Sequence, residues 1–209
     1  MSRYYPVVLD LGGRPCVVIG GGTVAERKIA ALLAAGALVT VVAPTVTAAV
    51  AASARAGALV HVARAYRPGD LAGQRLALVA TGAPGVSAAV AAEGDARRIW
   101  VNAADDAAHS TFILPSVLRR GDLTLAVGTG GASPALARLV REELERHLGP
   151  EYATLVDVAG DVRRELARRG KPSTGEAWTR GVDDGVRRLV REGRRDEARA
   201  RLLARLESG

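Results

Sequence analysis

The 209-residue chain is short of the residues on which secreted, zinc-bound and membrane-spanning proteins depend. Its single cysteine, Cys16, sits inside an apolar run, can form no internal disulfide and cannot furnish a cysteine-rich metal site, so a reducing, cytoplasmic setting is expected. Three scattered histidines, His61, His109 and His147, are too few beside that one thiol for the ligand set of a zinc dehydrogenase, and no metal site is expected. No window reaches the ~18 consecutive apolar residues of a membrane span. The start, MSRYYPVVLDLGG, lacks the charged segment, apolar stretch and small-residue cleavage site of a secretion signal. Neither membrane nor export is expected. Lysine occurs only at 28 and 171, and the positions four residues earlier are Val24 and Ala167, which excludes the Tyr–Lys pair of a short-chain dehydrogenase. The absence of any G-x-S-x-G likewise removes the serine-hydrolase elbow.

What is present is globular. Hydrophobic residues make up 48% of the chain and charged residues 24%, enough to bury a core and far from the balance of a disordered chain. The net charge of +7 favours anionic partners, whether nucleic acid, phosphates or a polycarboxylate. Residues 1–159 hold 15 Lys+Arg against 13 Asp+Glu and residues 160–209 hold 14 against 9, so +5 of the +7 lies in the last fifty residues. The excess belongs to the tail.

The first half alternates short apolar runs with helix-like segments, the mark of βαβ units around a parallel sheet. Strands are expected at Pro15–Gly20, Ala37–Ala43, Ala58–Ala63, Leu76–Ala80 and Ile99–Asn102, with helices at Val24–Ala35, Thr47–Ala56 and Val86–Arg97. The runs carry apolar residues on both faces, as strands covered on each side should. The fold class expected is α/β, a Rossmann-like doubly wound parallel sheet. After Asn102 two strands, Thr111–Leu114 and Leu123–Val127, are expected to pair about a turn near Arg120-Gly121-Asp122. From Ser133 onward the chain reads as helical, with breaks at Gly149-Pro150, Gly170-Lys171-Pro172 and Gly193.

Three constellations carry chemistry. Gly20-Gly21-Gly22-Thr23-Val24-Ala25 fits G-x-G-x-x-A between a strand and a helix. Gly20 supplies the tight turn, Gly22 lets the backbone approach a pyrophosphate, and Ala25 allows close helix–strand packing. The helix N-terminus then offers free N–H groups to the phosphates. The acidic residue that usually binds the ribose is missing, because the second strand ends Val41-Val42-Ala43-Pro44-Thr45. Backbone and hydroxyls such as Thr45 could hold the ribose, or Arg27 a phosphorylated one, and the residues alone leave NAD and NADP open. The second constellation, Asn102-Ala103-Ala104-Asp105-Asp106, puts carboxylates at the carboxyl edge of the sheet, where ligands of such folds bind. Adjacent residues point oppositely on an extended chain, so one carboxylate is expected to work and the other to cap or be solvated. Third, Gly128-Thr129-Gly130-Gly131-Ala132-Ser133-Pro134 is a glycine loop leading to a helix, with Ser133 as N-cap and Pro134 in the first turn.

In order and spacing, VVIGGGTVAERKIAALLAAGALVTVVAP, VNAADDAAHSTFILPS and LAVGTGGASPALARLVREELE closely resemble the precorrin-2 dehydrogenase family, the N-terminal module of sirohaem synthases. The resemblance runs from about Tyr5 to Leu148. It implies a homodimer that uses NAD to oxidise precorrin-2 to sirohydrochlorin, and because some members also insert ferrous iron, it leaves iron insertion open as an added activity. It further implies a dinucleotide domain over 1–113, a dimerisation segment over 114–150 and a helical C-terminal domain over 151–209, with no methyltransferase. Residue by residue, Gly22, Thr23 and Val24 fall on the family's dinucleotide loop, and Pro44 and Thr45 on the segment bordering the adenosine. That family also lacks the ribose carboxylate. Asp105 matches its catalytic aspartate, following the stretch that begins at Asn102, and Thr129 lies where relatives often carry Ser. Asn102, Thr129, Gly130 and Ser133 are therefore expected on the substrate side. Thr81, followed here by Gly82-Ala83-Pro84 where relatives often show acidic or amide residues, is left with backbone to line the cofactor side.

The oxidation removes a hydride from one ring carbon and a proton from its neighbour, so a base is needed beside the nicotinamide, and Asp105 is the expected one. His109, three residues from Asp106, reads first as a surface histidine in a polar turn and second as a helper to the carboxylate in metal insertion. The arginines between Arg163 and Arg205 interleave with acids and read first as a solvated face, second as a flap over the substrate's carboxylates. A rival class, a non-catalytic dinucleotide sensor whose basic tail contacts nucleic acid, calls for a helix-turn-helix or a one-signed basic face, and neither is present. Nucleic acid is not an expected partner.

Overall fold

The computed structural model describes residues 4–104, 106–171 and 174–208. Contacts divide the chain into two compact units, Met1–Leu114 and Pro115–Gly209.

The first unit is a five-stranded parallel sheet of β1 (Pro15–Ile19), β2 (Leu38–Val42), β3 (Val60–Val62), β4 (Leu76–Val79) and β5 (Trp100–Ala103), in the order β3-β2-β1-β4-β5. Helices α1 (Thr23–Ala34), α2 (Ala48–Arg55) and α3 (Val86–Arg97) connect them. This is the doubly wound α/β architecture expected. Period-two alternation divides each strand between two cores. Cys16 and Val18 point with Val39, Val41, Leu76 and Leu78 toward Ala25, Ile29 and Leu32 of α1 and Val50 of α2. Val17 and Ile19 point the other way, with Val42, Ala77, Val79 and Val101, toward Val90 of α3. A strand covered on both faces favours apolar residues, which explains the CVVI and LALV runs and leaves Thr40 as the one polar side chain of β2. Cys16 is fully buried, and that burial raises its thiol pKa, so it serves as packing.

Helix α3 lies unusually close to the sheet. A Cβ placed on Gly94 would stand 2.3 Å from Val101 Cγ2 and 3.1 Å from the Ile99 carbonyl. We expect Gly94→Ala to destabilise the protein by about 1–3 kcal/mol, the usual cost of overpacking, measurable by denaturant titration.

The connection from β3 to β4 is clipped by a bidentate pair, Arg64 Nη1 and Nη2 donating to Asp70 Oδ2 and Oδ1 at 2.8 and 2.6 Å, while the Arg67 N–H donates to the same carboxylate. The Arg64 guanidinium holds the Asp70 carboxyl below its ordinary pKa. A carboxyl depressed on folding adds stability above its unfolded pKa of about 3.9 and loses it as pH falls through the folded value. Asp70→Asn should therefore lower the melting temperature at pH ~7, with the gap closing below pH ~4.

The second unit begins with an antiparallel hairpin, β6 (Ser116–Arg120) and β7 (Leu123–Val127), followed by α4 (Pro134–His147), α5 (Glu151–Arg168), α6 (Gly175–Gly181), α7 (Asp184–Arg191) and α8 (Arg195–Glu207). The expected strand at Thr111–Leu114 is not formed. Arg120 pairs with Leu123, leaving a two-residue turn whose first member, Gly121, has φ 55°, and this register puts the first strand at 116–120. Thr111–Leu114 instead finishes the first unit. The Thr111 N–H donates to the Val101 carbonyl at 2.8 Å, and Phe112 joins the core on the α1 face. Pro115 follows and brings no N–H for a ladder.

Helices α5 to α8 close around Val158, Val162, Leu166, Val186, Val190, Ala198 and Leu202. The tail arginines tie these helices together. Arg195 of α8 reaches Asp161 of α5 and Arg169, just past the end of α5, reaches Glu207 of α8, at 2.9 Å each, and Arg201 holds Asp183 at 2.7 Å. Asp183 also caps α7, accepting from the Val186 N–H at 2.8 Å. That cap makes a break near residue 183 in addition to those expected. No helix of the described residues is long and apolar enough to cross a membrane.

Candidate active site at the carboxyl edge of the sheet

Strand register decides which loops meet. Ile19 stands opposite Val42 and Val79, and Val79 opposite Ala103, so β1, β2, β4 and β5 end level with one another. The loops that follow them, carrying Gly20 to Gly22, Pro44 and Thr45, Thr81, and the segment after Ala103, therefore open on a single edge. The strand order reverses between β1 and β4, and such a switch point leaves a crevice for a ligand.

The floor of that crevice is backbone against backbone. The Gly20 N–H donates to the Val42 carbonyl at 3.0 Å, and a Cβ on Gly20, at φ 128°, would stand 2.2 Å from the Ala80 carbonyl oxygen. Gly21 is buried, and its carbonyl accepts the Thr47 N–H at 3.0 Å. A Cβ there would stand 2.1 Å from the Thr45 carbonyl. Gly22 differs from both. It occupies the N-cap of α1 at φ −80°, ψ −172°, and nothing lies within 4 Å of a Cβ built on it. No side chain caps α1, so the first N–H groups of the helix, those of Thr23 and Val24 among them, face the opening without an intrahelical partner. These features fit a dinucleotide pyrophosphate, which needs close backbone approach and free donors.

Pro44 and Thr45 are exposed beside the loop, and the neighbouring Ala43 carbonyl accepts from His61 Nε2 at 2.9 Å. Thr81 is half-buried, its hydroxyl accepting from the Ala83 N–H at 3.2 Å. Asn102 is 8% exposed, the one buried polar side chain among the described residues. Its Oδ1 accepts from Lys28 Nζ at 2.9 Å and its Nδ2 donates to the Phe112 carbonyl at 3.0 Å. The amide is committed to fastening the end of β5 to α1 and to the segment before Pro115.

Asp105 lies outside the described residues. Its neighbours are placed at the edge: the Ala104 N–H donates to the Val79 carbonyl at 2.9 Å, and the Asp106 N–H to the Ala103 carbonyl at 3.3 Å. Asp106 Oδ2 lies 2.8 Å from His109 Nδ1, which gives the histidine a specific partner that its surface position did not suggest. Among the described residues no three His, Cys, Asp or Glu side chains cluster as a metal-binding group.

Thr129, Gly130 and Ser133 form one loop in the second unit. The Thr129 hydroxyl donates to the Ser133 carbonyl and accepts the Ser133 N–H, each at 3.0 Å, and Ser133 Oγ accepts the Leu136 N–H at 3.1 Å, capping α4. Gly130 and Gly131 have φ of 64° and 86°, which explains why glycines precede the cap.

Sequence reasoning had passed over Gly21 and Lys28 as contributors to this edge. The Gly20-Gly21-Gly22 triplet carried the signal for the first, since a variable position filled by glycine invites a steric explanation; Lys28 needed the tertiary structure.

A doubly wound sheet with a glycine cradle at its switch point defines a dinucleotide-binding protein of the α/β class. The sequence matches the family described as "Putative NAD(P)-binding" over residues 7–116 and that described as "Sirohaem biosynthesis protein central" over residues 120–147. The chain belongs to the first of these families, whose match spans more than half of it, and the second match covers its central segment. Siroheme synthase 1 of Pectobacterium atrosepticum is 37% identical over 206 residues, covering 98% of this chain and 43% of the relative. The siroheme synthase of Photobacterium profundum is 36% identical over 202 residues, covering 96% and 43%. The chain thus spans less than half the length of these curated relatives. Among solved structures, SirC, a precorrin-2 dehydrogenase, superposes with a TM-score of 0.73 at 29% identity over 99% of this chain and 100% of that one.

Proposed function

We propose that this chain oxidises precorrin-2 to sirohydrochlorin, with NAD as the acceptor. The observation that carries the reading is the cradle at the switch point, where Gly22 leaves open space above the uncapped start of α1. End-to-end likeness to a precorrin-2 dehydrogenase supports the substrate class.

A nicotinamide bound there supplies the hydride acceptor. Gly20 sets the turn, Gly22, Thr23 and Val24 receive the pyrophosphate, Pro44 and Thr45 border the adenosine, and Thr81 lines the cofactor side. Asp105 would take the proton from the position neighbouring the carbon that gives up hydride, and that proton would leave through the carboxylate. Asn102 fastens the strand from which that segment emerges, and Thr129, Gly130 and Ser133 meet the substrate. NAD over NADP rests on the family resemblance, and comparing kcat/KM for the two tests it directly.

The reading includes a homodimer in the cytoplasm. Supporting the first, the β6–β7 hairpin has only two strands, and Val117, Leu136 and Leu139 are exposed on it and on α4. Light scattering should give twice the chain mass. The lone buried thiol supports the second.

The deciding experiment supplies precorrin-2 and NAD without oxygen and follows sirohydrochlorin absorbance together with NADH. Stoichiometric appearance of both is expected, and an absence of oxidation overturns the proposal. Ferrous ion added afterwards tests iron insertion: conversion to sirohaem makes the chain bifunctional, and persistence of sirohydrochlorin makes it a dehydrogenase alone.

A further inference from the structure

The opposite edge of the same sheet, where β1, β4 and β5 begin, carries features that dinucleotide binding leaves unused. Two adjoining clefts of about 540 and 490 Å³ open there and share Arg14, Gln74, Arg75 and Arg97. Arg98 and Trp100 line the second.

Arg14, Arg75 and Arg98 are exposed, and among the described residues their side chains make no ion pair or hydrogen bond. The acids at hand are already engaged: Asp10 accepts the Gly12 N–H at 3.0 Å, and Glu93 pairs with Arg97 at 2.7 Å. Arg98 has φ 58° and is the only non-glycine residue with positive φ among the described residues. It closes α3 in the left-handed conformation that glycine or asparagine ordinarily takes, so the fold tolerates strain to keep a guanidinium at the cleft. Gln74 Oε1 is buried with no hydrogen-bond partner, an acceptor waiting for a donor. Trp100, 49% exposed, presents an indole at the same mouth. Free guanidinium forks call for phosphate oxygens, the indole for a flat ring, and the orphan oxygen for a hydroxyl or amine. Bare phosphate meets only the first of these demands.

We propose that this cleft is a second ligand site, which binds a nucleoside triphosphate with its phosphates on Arg14, Arg75 and Arg98 and its base against Trp100. It is separated from the dinucleotide edge by the length of the strands, about 15 Å at ~3.3 Å per residue, and it does not depend on the proposed reaction.

The chain has two tryptophans, Trp100 and Trp178, so Trp178→Phe in the full-length protein leaves Trp100 as the only reporter. With NAD at saturation, ATP should change Trp100 emission saturably, and Arg14→Glu combined with Arg75→Glu should weaken binding about ten- to hundredfold, as expected for lost hydrogen bonds to charged groups. Pyrophosphate should bind more weakly and leave the emission unchanged. Arg98→Gly provides a second variant that relieves the strained backbone: its melting temperature should rise while its ATP affinity falls. Binding indifferent to all three arginines, binding abolished by NAD, or none at millimolar ATP overturns the site, and pyrophosphate that matches ATP in affinity and emission overturns the role of Trp100.

Discussion

Gly20→Ala should leave little folded protein, whereas Gly22→Ala should fold nearly as well as the parent and lose its cofactor. At Gly20 two penalties add. The φ of 128° is one that L-residues rarely adopt, costing about 1–3 kcal/mol, and the new methyl would lie 2.2 Å from the Ala80 carbonyl oxygen and 2.6 Å from its carbon. Neither strand can withdraw, because the Gly20 N–H is bonded to Val42 and the Ala80 N–H to Ile19 at 2.8 Å. Against a total stability of about 5–15 kcal/mol, such a change removes most of the margin. Gly21→Ala meets the Thr45 carbonyl at 2.1 Å and should behave alike. At Gly22 the backbone is ordinary and the methyl meets no protein atom, so the cost is that of a poorer helix N-cap, at most about 1 kcal/mol. The open space is where a pyrophosphate must come close, and blocking it should raise the Kd for NAD at least ~10-fold, or ~1.4 kcal/mol. Thermal melts and NAD titrations on the purified variants separate the two effects. Unaltered NAD affinity in Gly22→Ala would remove Gly22 from the cradle.

The same loop shows why part of this protein could be read in advance. A buried parallel strand favours apolar residues, and β1, β2 and β4 are built almost wholly of them, so their positions follow from composition to within a residue or two. Gly20 and Gly22 were legible because dinucleotide binding demands glycine at that spacing on any such sheet. What escaped depends on packing between segments distant in sequence. Thr111–Leu114 has the residues of a strand, but its backbone is claimed by Val101, and Phe112 by the core. The true strand, Ser116–Arg120, reads SVLRR, with two arginines that hide its alternation, and only the register forced by Gly121 locates it. The surplus of tail arginines was visible, but their use was not, because Arg195 meets Asp161 and Arg169 meets Glu207 across 34 and 38 residues. Arg98 is the plainest case, since its left-handed backbone has no mark in the residues around it.

Asp105→Asn should lower kcat for precorrin-2 oxidation about 10²–10⁴-fold, the span of a lost general base, with NAD affinity and melting temperature unchanged. Asparagine keeps size and hydrogen-bonding capacity and removes only the ability to hold a proton. The effect should therefore fall on kcat and kcat/KM together, as it does when an interaction made only in the transition state is removed. Asp106 provides the contrast. Its carboxylate pairs with His109 at 2.8 Å, and its backbone carbonyl accepts from Ser110 Oγ at 2.9 Å, so its environment already accounts for it as the member of the acidic pair that shapes the turn. Asp106→Asn should change kcat by no more than a few-fold and shift the melting temperature instead. The two carboxylates thus predict opposite splits between rate and stability. A reversed result, with Asp106→Asn inactive and Asp105→Asn near the parent rate, moves the base to the Asp106–His109 pair.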